Sequence, residues 1–422
     1  MPIHWGHCLL LAWCLGLAAH LAQASTLAVV DERSSPSTFD QLWRALSEQG
    51  HDVVVSSPQD AAVKLRHEGD RFEHLVVFSP AVKDLPAELA PQALARRLQG
   101  GTNLVLVASA DAPELWRDFA REFEVDLGDR GQHVVDHLAF DALGDDGSHT
   151  LLSLAPADSP APFVSAATRQ GPNILYRGAS HAVGRHPLLT PLLRAGPTAF
   201  LADAASGTAS SDARSAGSSL ALVSAFQARN NARALFVGSA QLFSDELLNR
   251  PDSGNLAFSL DILSWAFQKT GQLRLADLTY RAVGHVHGAP SLRVGTELHV
   301  KLAVAAAPAY DADDLQLEFG MLDPHVRVPF VRSPAPQDDV ATNTTDFRAA
   351  FVVPDRHGVF TLRVDHRRPG WTSVDVSKAI PVTPPRHDEY ERFIAGALPW
   401  YGGAASVSAL FLVFVAMWAM QS

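Results

Sequence analysis

The sequence predicts an α/β domain built on a parallel sheet, then a β-sandwich-like region, and then one C-terminal transmembrane helix. Short apolar runs alternate with helical segments up to about residue 125, whereas apolar and polar residues alternate from Gln272 to Val382. Parallel strands that are covered on both faces lack such alternation, and half-exposed antiparallel strands show it. We expect a signal peptide at 1–24, an α/β domain at 25–270, a sandwich at 271–385, a membrane-proximal segment at 386–401, a span at 402–420 and a cytosolic end at 421–422.

The first third of the chain follows the strand–helix order of a doubly wound sheet. Its predicted strands are Leu27–Val30, Val53–Val55, Leu75–Phe78 and Leu104–Val107. Its predicted helices are Thr38–Gln49, Gln59–His67, Pro91–Gln99 and Pro113–Glu122. Residues 126–222 are rich in Gly, Pro and Asp, which predicts an irregular insert of short strands.

The stretch from Phe226 to Asp245 returns the chain to the sheet. Two apolar runs, Leu222–Phe226 and Ala234–Val237, predict strands joined by the polar turn Arg229–Arg233. Asn tolerates left-handed backbone in such a turn, and we expect the two arginines to face carboxylates or solvent. Ser239 is predicted to cap a following helix rich in Leu and Phe, and residues 255–267 predict a closing amphipathic helix.

The carboxyl ends of parallel strands are where α/β proteins bind ligands. This chain places a set of polar residues there: Asp31, Ser56, Ser57, Ser79 and Ser109. No glycine-rich dinucleotide motif follows the first strand, Ser79 stands where an amidotransferase has its cysteine, and Ser239 lacks the glycines of a nucleophile elbow. We therefore interpret this edge as a vestigial cleft with no catalytic residue and no cofactor, and keep an unrecognised small ligand as the alternative.

Two acidic or histidine-rich motifs could in principle bind a metal. His133, Asp136 and His137 lie close together in sequence, but in an extended segment residues 133 and 136 point to opposite faces, so we expect a hydrogen-bonded Asp/His pair rather than a metal site. The D-x-D motif from Asp311 to Asp313 matches the cation-binding pattern of many nucleotide-sugar transferases. Its position in a polar loop of the β-rich region predicts a solvated turn instead.

The amino-terminal end indicates the secretory pathway. An apolar segment is followed by Ala22-Gln23-Ala24, which predicts signal cleavage between Ala24 and Ser25. The two cysteines of the chain both precede this point, so the mature protein is expected to fold without disulfides. A net charge of −11 makes nucleic acid a poor partner.

The carboxyl-terminal end predicts a single membrane span. No Asp, Glu, Lys or Arg follows Arg392, and Ala404–Met420 would span roughly 25 Å as a helix. This length is close to the thickness of the endoplasmic reticulum bilayer core, about 27 Å. A cleaved signal together with one C-terminal span predicts a type I protein of that membrane, in contact with its lipid. A glycosylphosphatidylinositol signal is the alternative, although the polar spacer that it needs is missing.

The span carries small residues that allow close helix packing: Gly402, Gly403, Ala405, Ser406 and Ala409. The alternative is that they merely continue the loop into lipid. The sequence contains one N-x-S/T site, Asn343, on a polar loop in the region predicted to be lumenal, and we expect it to be glycosylated.

A series of collinear motifs resembles the DDOST-type (48 kDa-type) non-catalytic subunit of the eukaryotic oligosaccharyltransferase. The motifs extend over nearly the whole mature chain: Thr26–Asp31, His74–Pro80, Val134–His137, Asn173–Gly178, Gln227–Arg233, Leu315–Phe319, Asp323–Arg327, His357–Phe360 and Tyr390–Ile394. Each is weak alone, but their common order is specific.

The resemblance implies a flavodoxin-like or amidotransferase-like N-terminal fold and a structural role in a membrane enzyme. It implies that another subunit of the complex transfers the dolichol-linked oligosaccharide to Asn of N-x-S/T, and that the catalytic and other subunits are the partners of this chain. A free-standing lumenal carbohydrate- or lipid-binding protein is the alternative from a different class.

Overall fold

The structure is a computed structural model that describes residues 25–31, 36–78, 85–203, 216–283, 292–307, 310, 312–333, 344–387 and 394–421. Several residues singled out above lie outside this part of the chain: Ala24, Ser79, Asp311 and Asn343. Residues 204–215 of the predicted insert also lie outside it.

The first part of the chain forms the predicted α/β domain. Its helices are α1 (Asp40–Glu48), α2 (Pro58–His67), α3 (Pro91–Gln99), α4 (Glu114–Arg121), α5 (Ala166–Arg169), α6 (Asp245–Leu248) and α7 (Asn255–Ala266). Its strands are β1 (Ser25–Val29), β2 (Asp52–Ser56), β3 (Phe72–Val77), β4 (Asn103–Val107), β5 (Val125–Leu127), β6 (Gln132–Val135), β7 (Leu152–Leu154), β8 (Ile174–Tyr176), β9 (His181–Val183), β10 (Leu189–Arg194), β11 (Phe200–Asp203), β12 (Leu220–Gln227) and β13 (Arg233–Val237).

The central sheet is mixed, in the order β2-β1-β3-β4-β13-β12-β9-β5, with β10 also on β12. Strands β2, β1, β3 and β4 are parallel to one another, as predicted, and β13 lies parallel to β4. Strand β12 is antiparallel to β13, because the turn between them is too short for a crossover. The strand pairs β6–β11 and β7–β8 form two small separate sheets within the insert.

Both faces of the parallel strands are covered by helices, which explains their uninterrupted apolar sequences. Alternate residues of β1 and β4, such as Ala28 and Val105, belong to the core that also includes α1 and α7. Their neighbours, such as Leu27 and Leu104, belong to the core beneath α2, α3 and α4. Pro58 begins α2 after Ser57, whose hydroxyl accepts the Asp60 N–H at 3.2 Å.

Two local predictions are corrected by the burial of these segments. Helix α7 is not amphipathic: within it only Ala257 is exposed, because the helix packs against the sheet, β8 and α1. The segment after Ser239 is not one continuous helix. It forms a 3-10 turn at Ala240–Phe243 and then the short α6.

The predicted sandwich follows, and its strand pairs are antiparallel except for the short parallel pair of β15 and β22. Its strands are β14 (Gln272–Ala282), β15 (Leu292–Arg293), β16 (Glu297–Ala307), β17 (Gln316–Gly320), β18 (His325–Pro329), β19 (Val331–Arg332), β20 (Thr344–Val352), β21 (Gly358–His366) and β22 (Val374–Thr383). They form one sheet in the order β14-β16-β20-β19 and another in the order β15-β22-β21-β17-β18. Phe319 stacks on Phe360 at 4.8 Å in the shared core, and both are fully buried.

The last element is α8 (Leu398–Met420), an apolar helix whose residues are exposed over its whole length. Residues 395–420 are long and apolar enough to cross a membrane. The 23 residues of α8 would extend roughly 35 Å. The helix therefore begins before the predicted boundary at 402 and includes the aromatic pair Trp400 and Tyr401.

Candidate functional site

The turn between β12 and β13 lies at the amino ends of the parallel strands and is held by its asparagines. The side-chain amide of Asn230 donates to the carbonyls of Leu98 and Gln99, at 2.9 and 2.8 Å, at the end of α3. Those carbonyls belong to a helix end and lack partners within the helix. Asn231 has a φ of 67°, the left-handed conformation expected for this turn. The turn is thereby fixed to the helix beside it.

Arg233 is fully buried at the start of β13, contrary to the expectation that it faces a carboxylate or solvent. Its guanidinium donates to three backbone carbonyls, of Trp265 at 2.6 Å, Thr270 at 2.7 Å and Gly271 at 2.7 Å. It also lies 4.7 Å from the centre of the Trp265 ring. The negative ends of carbonyl dipoles after α7 replace the expected carboxylate. Burial lowers the pKa of Arg233 to about 9, so it stays charged at neutral pH.

The same turn contacts the sandwich through the loop between β21 and β22. Gln227 Nε2 donates to the Trp371 carbonyl at 2.6 Å, and Trp265 Nε1 donates to the Gly370 carbonyl at 2.9 Å. Asn231 Oδ1 accepts both the backbone N–H and the hydroxyl of Ser373, at 2.8 and 2.9 Å. Residues of the Gln227–Arg233 motif therefore join the two domains. We call these contacts the junction.

Two glycines allow the backbones to meet at the junction. Gly271 has a φ of +66°, and a Cβ added there would lie 2.2 Å from the carbonyl oxygen of Gly370. Gly370 has a φ of +84°, and a Cβ there would lie 2.6 Å from Pro162 Cδ. A side chain at either position would force the domains apart or distort the backbone. The close approach of the domains thus requires glycine at both positions.

A cavity of about 300 Å³ opens beside the junction, which we call the junction cavity. The α/β domain contributes part of the Gln227–Arg233 motif, and the sandwich contributes residues 367–371 and 373. Its cationic and aromatic lining residues are Phe163, His186, Arg229, Trp265, Arg367, Arg368 and Trp371. Of the two motif arginines, Arg233 is therefore buried in protein, whereas Arg229 is exposed at this cavity.

A second cavity, of about 540 Å³, lies under the amino ends of β3 and β4. It is lined by His51 and His74, both almost completely buried, and His74 stacks on Phe267 at 4.6 Å. Burial lowers the pKa of His51 to about 4, with a smaller effect from Lys269, and burial followed by the charge of His51 lowers that of His74 to about 3. Both imidazoles are therefore neutral at neutral pH.

The carboxyl ends of the strands are used differently. Ser239 is 3% exposed; its hydroxyl donates to the Arg177 carbonyl and accepts the Gln241 N–H at 3.1 Å. The interpretation of Ser239 as a capping residue is confirmed. At this edge Ser57 caps α2, and Ser56 accepts a hydrogen bond from Lys64 at 2.6 Å. These hydroxyls serve the fold.

The expected hydrogen-bonded Asp/His pair is wrong. Asp136 is buried and accepts hydrogen bonds from the Thr198 hydroxyl and from the N–H groups of Leu138 and Ala139. His137 instead lies with its Nδ1 2.7 Å from Nδ1 of His149. The loop after β6 curls back over Asp136, so the backbone supplies its partners. Within the described ranges, no group of three or more His, Cys, Asp or Glu residues could hold a metal.

Comparison with known proteins decides the family. The profile of the OST48 N-terminal domain matches residues 17–269, and that of the OST48 middle domain matches residues 297–422. The chain belongs to the OST48 family. An Arabidopsis thaliana relative, named as the 48 kDa subunit of dolichyl-diphosphooligosaccharide–protein glycosyltransferase, is 31% identical over 411 residues, covering 92% of this chain and 91% of the relative.

Two further relatives extend the comparison. The wbp1 subunit of the same glycosyltransferase from Schizosaccharomyces pombe is 31% identical over 430 residues, 98% of this chain and 96% of the relative. The Drosophila melanogaster 48 kDa subunit is 30% identical over 417 residues, 93% of this chain and 90% of the relative. Among solved structures, a Niemann-Pick type C2 protein from the Japanese carpenter ant covers 27% of the chain at a TM-score of 0.17, too low to indicate a shared fold.

Within the OST48 family fold, the motifs that carry the resemblance are mostly core strands and turns. Thr26–Asp31 and His74–Phe78 include residues of β1 and β3, Asn173–Gly178 includes β8, and Leu315–Phe319 overlaps β17. The junction loop at 367–373 was missed by sequence reasoning. Its available signal was the pair Arg367-Arg368 before Pro369-Gly370, a turn dipeptide flanked by two cations.

The predicted packing residues of α8 are exposed in the structure. A Cβ added at Gly402 or Gly403 would meet no atom within 4 Å. The Ser406 hydroxyl donates to the Gly403 carbonyl at 2.8 Å, so its polar group is satisfied within the helix. Ala405 and Ala409 are exposed as well.

Proposed function

We propose that this chain is a non-catalytic structural subunit of an oligosaccharyltransferase. In that complex, the dolichol-linked oligosaccharide is transferred to Asn of N-x-S/T in nascent chains, and this subunit serves the assembly and stability of the complex. The likeness to proteins named as subunits of dolichyl-diphosphooligosaccharide–protein glycosyltransferase, over more than nine-tenths of each chain, supports membership of such a complex. Catalysis is assigned to another subunit.

The hydrogen bonds made by the serine hydroxyls at the carboxyl edge of the sheet support a non-catalytic role. A nucleophilic serine needs a neighbouring base to take its proton. The Ser239 hydroxyl instead donates a hydrogen bond to the Arg177 carbonyl and accepts one from the Gln241 N–H. These two hydrogen bonds stabilise the turn after β13, and the hydroxyl hydrogen is directed at a carbonyl oxygen rather than at a base.

The test is the size of the particle that contains the chain. The native protein, solubilised in mild detergent, should migrate in a large complex that transfers glycan to an N-x-S/T peptide. Migration as a single chain would overturn the proposal and favour the free-standing lumenal carbohydrate- or lipid-binding protein. A large complex without transfer activity towards that peptide would also contradict the proposal.

We further propose a type I topology in the endoplasmic reticulum membrane, with the mature chain starting at Ser25 and both domains in the lumen. The single apolar helix at the carboxyl end supports it. In sealed microsomes, protease added outside should leave residues 25–387 protected. Digestion of the α/β domain from outside would reverse the topology.

The proposed lumenal location also makes Asn343 a glycosylation site. Amidase treatment that removes N-glycans should increase the gel mobility of the chain, and Asn343→Gln should abolish the shift. An unchanged mobility of the wild-type chain would show that the site is unoccupied.

We also propose that one face of α8 packs on a helix of a neighbouring subunit. Gly402, Ala405, Ser406 and Ala409 follow a spacing that places them on one side of the helix, and small residues allow the close approach on which packing in lipid depends. The double variant Gly402→Leu/Ser406→Leu should lower recovery of the other subunits. Ala404→Leu/Ser408→Leu adds the same side chains on the opposite side and is the matched control. Equal recovery from both variants would contradict packing through this face.

A further inference from the structure

Arg229 is the one charged residue of the Gln227–Arg233 motif that the fold does not use. Gln227 bonds across the junction, Asn230 holds the end of α3, and Asn231 bonds to Ser373. Arg233 is buried among carbonyls. Arg229, by contrast, is exposed, and no hydrogen bond or ion pair involves it in the described part of the chain. Arg229 therefore lines the cavity, and its side chain makes no stabilising polar contact with the described residues.

The surroundings of Arg229 are cationic in an acidic protein. The chain carries a net charge of −11, yet the junction cavity is lined by three arginines and no Asp or Glu. Arg367 Nε donates to Asp365 at 3.0 Å, and an Arg368 nitrogen lies 3.9 Å from Asp314. Both carboxylates lie outside the lining, and each guanidinium has five N–H donors, so donors remain for a ligand. Asp365 and Asp314 partly offset the charges of Arg367 and Arg368, whereas no carboxylate of the described residues offsets the charge of Arg229, and like charges held close together favour a bound anion.

The rest of the lining is aromatic or apolar. Trp371, Trp265 and Phe163 contribute rings, and Pro187, Leu188 and Pro369 add further apolar surface. A volume of about 300 Å³ is at the small end of ligand pockets and is too small for a macromolecular interface. Arginine is the side chain best suited to phosphate, which it binds through paired N–H donors.

From these observations we propose that the junction cavity binds a small phosphorylated molecule with a planar or apolar group. The phosphoryl oxygens accept hydrogen bonds from Arg229 together with Arg367 or Arg368, and the planar group lies against Trp371. Because the α/β domain supplies Arg229 and the sandwich supplies the other cations, the ligand bridges the two domains. A free phosphate ester and the phosphoryl head group of a larger molecule share this chemistry.

The experiment uses the full chain in mild detergent, with the subunits that co-purify, and three probes. Phenyl phosphate carries both features, phenol only the ring, and inorganic phosphate only the charge. Hydrogen exchange is followed in peptides that cover residues 227–231 and 367–373, so that binding elsewhere in the particle does not contribute. Phenyl phosphate should slow exchange in both peptides, and at lower concentration than either other probe.

Matched variants locate the anion contact. Arg229→Gln should raise the concentration of phenyl phosphate needed for half-maximal protection at least about tenfold. Because Arg229 has no polar partner among the described residues, exchange without probe should equal that of the wild type. Arg356→Gln removes an exposed arginine of the sandwich outside the cavity and should leave binding within about twofold.

Three outcomes would overturn the proposal. One is no protection of either peptide by phenyl phosphate in the wild type, and another is undiminished protection in Arg229→Gln. The third is equal protection by phenol, which would remove the need for an anion. Equal protection by inorganic phosphate would overturn the part of the proposal that concerns the planar group. A head group of a larger molecule would be distinguished from a free ester by recovery of phosphorus-containing lipid with the wild type but not with Arg229→Gln.

Discussion

The two edges of the parallel sheet use polar side chains for different purposes. At the carboxyl edge, Ser57 and Ser239 cap the segments that follow their strands. At the amino edge, Asn231 and Arg233 make contacts between segments far apart in the sequence. In α/β enzymes, ligands and chemistry gather at the carboxyl edge. Here, the most distinctive motif of the chain is at the opposite edge and serves the connection of two domains.

This difference shows that the motif by which the chain is recognised need not be a catalytic motif. The Gln227–Arg233 motif contains polar residues of the types common in active sites. Its members nevertheless make bonds to backbone carbonyls and to a loop of the sandwich. Four predictions test the division between a structural amino edge and a capped, non-catalytic carboxyl edge.

The largest effect is expected from Arg233→Met, which keeps much of the volume but leaves three buried carbonyls without their donors. An unsatisfied buried polar group costs about 1–3 kcal/mol, so we expect a loss of at least about 3 kcal/mol. The thermal unfolding midpoint of the full chain, followed by tryptophan fluorescence, should fall by about 6 °C or more. Arg233→Lys keeps a charge and some donors and should lose less. A Met variant as stable as the Lys variant would show that the carbonyl contacts matter little.

Acid should destabilise the amino edge through His51 and His74. Their folded pKa values of about 4 and about 3 lie below the ordinary value of 6.5, so the unfolded chain binds more protons as pH falls below that value. Stability is therefore full above about pH 6.5 and declines towards pH 4 and below.

The variant that tests acid destabilisation is His51→Phe, since neither ring nitrogen of His51 has a hydrogen-bond partner among the described residues. This variant should reduce the loss between pH 7 and pH 4 by on the order of 1–3 kcal/mol. Unfolding curves recorded across that range test it. If the free energy of unfolding falls by the same amount between pH 7 and pH 4 in the variant and in the wild type, the role of His51 is contradicted.

A smaller effect is expected at Asn231, where conformation and bonding can be separated. Asn231→Gly keeps the left-handed backbone but loses the bonds to Ser373, which should cost about 1–2 kcal/mol. Asn231→Ala also strains the backbone and should lose about 1 kcal/mol more. Denaturation midpoints give both differences. If the Ala and Gly variants are equally stable, the positive φ does not constrain this position.

The smallest effect on function is expected at the carboxyl edge. Ser239→Ala removes a cap and should cost about 1 kcal/mol of stability. Glycan transfer by the assembled complex should stay within about tenfold of the wild type, and Asp31→Ala should do the same. A thousandfold loss with assembly intact would place chemistry at this edge. Asp311→Ala tests the D-x-D motif in the same assay.

The sequence predicted the strands of both domains because their periodicity is local. The apolar runs of β1, β3 and β4 and the alternation in β20 and β21 depend on which faces are covered. The partners of Arg233 could not be predicted, because they are backbone carbonyls at the end of α7 and just after it. These atoms come close to Arg233 only when α7 packs on the sheet. The nearly complete burial of α7 likewise results from packing with the sheet, β8 and α1, which no local pattern reveals.

The candidate site was predicted only in part. The turn, its left-handed asparagine and the capping role of Ser239 followed from residue preferences. The junction cavity needs the loop after β21, which lies far along the chain, and the close approach of Gly271 and Gly370. These contacts between residues far apart in the sequence depend on how the two domains pack. One sequence alone does not encode them in a readable pattern.

The most direct test compares glycan transfer with the amount of assembled complex in cells that carry Arg233→Met. We expect less complex to be recovered, while transfer per assembled complex stays within about twofold of the wild type. A normal amount of complex with transfer reduced a thousandfold would contradict it, because the amino edge would then take part in the chemistry.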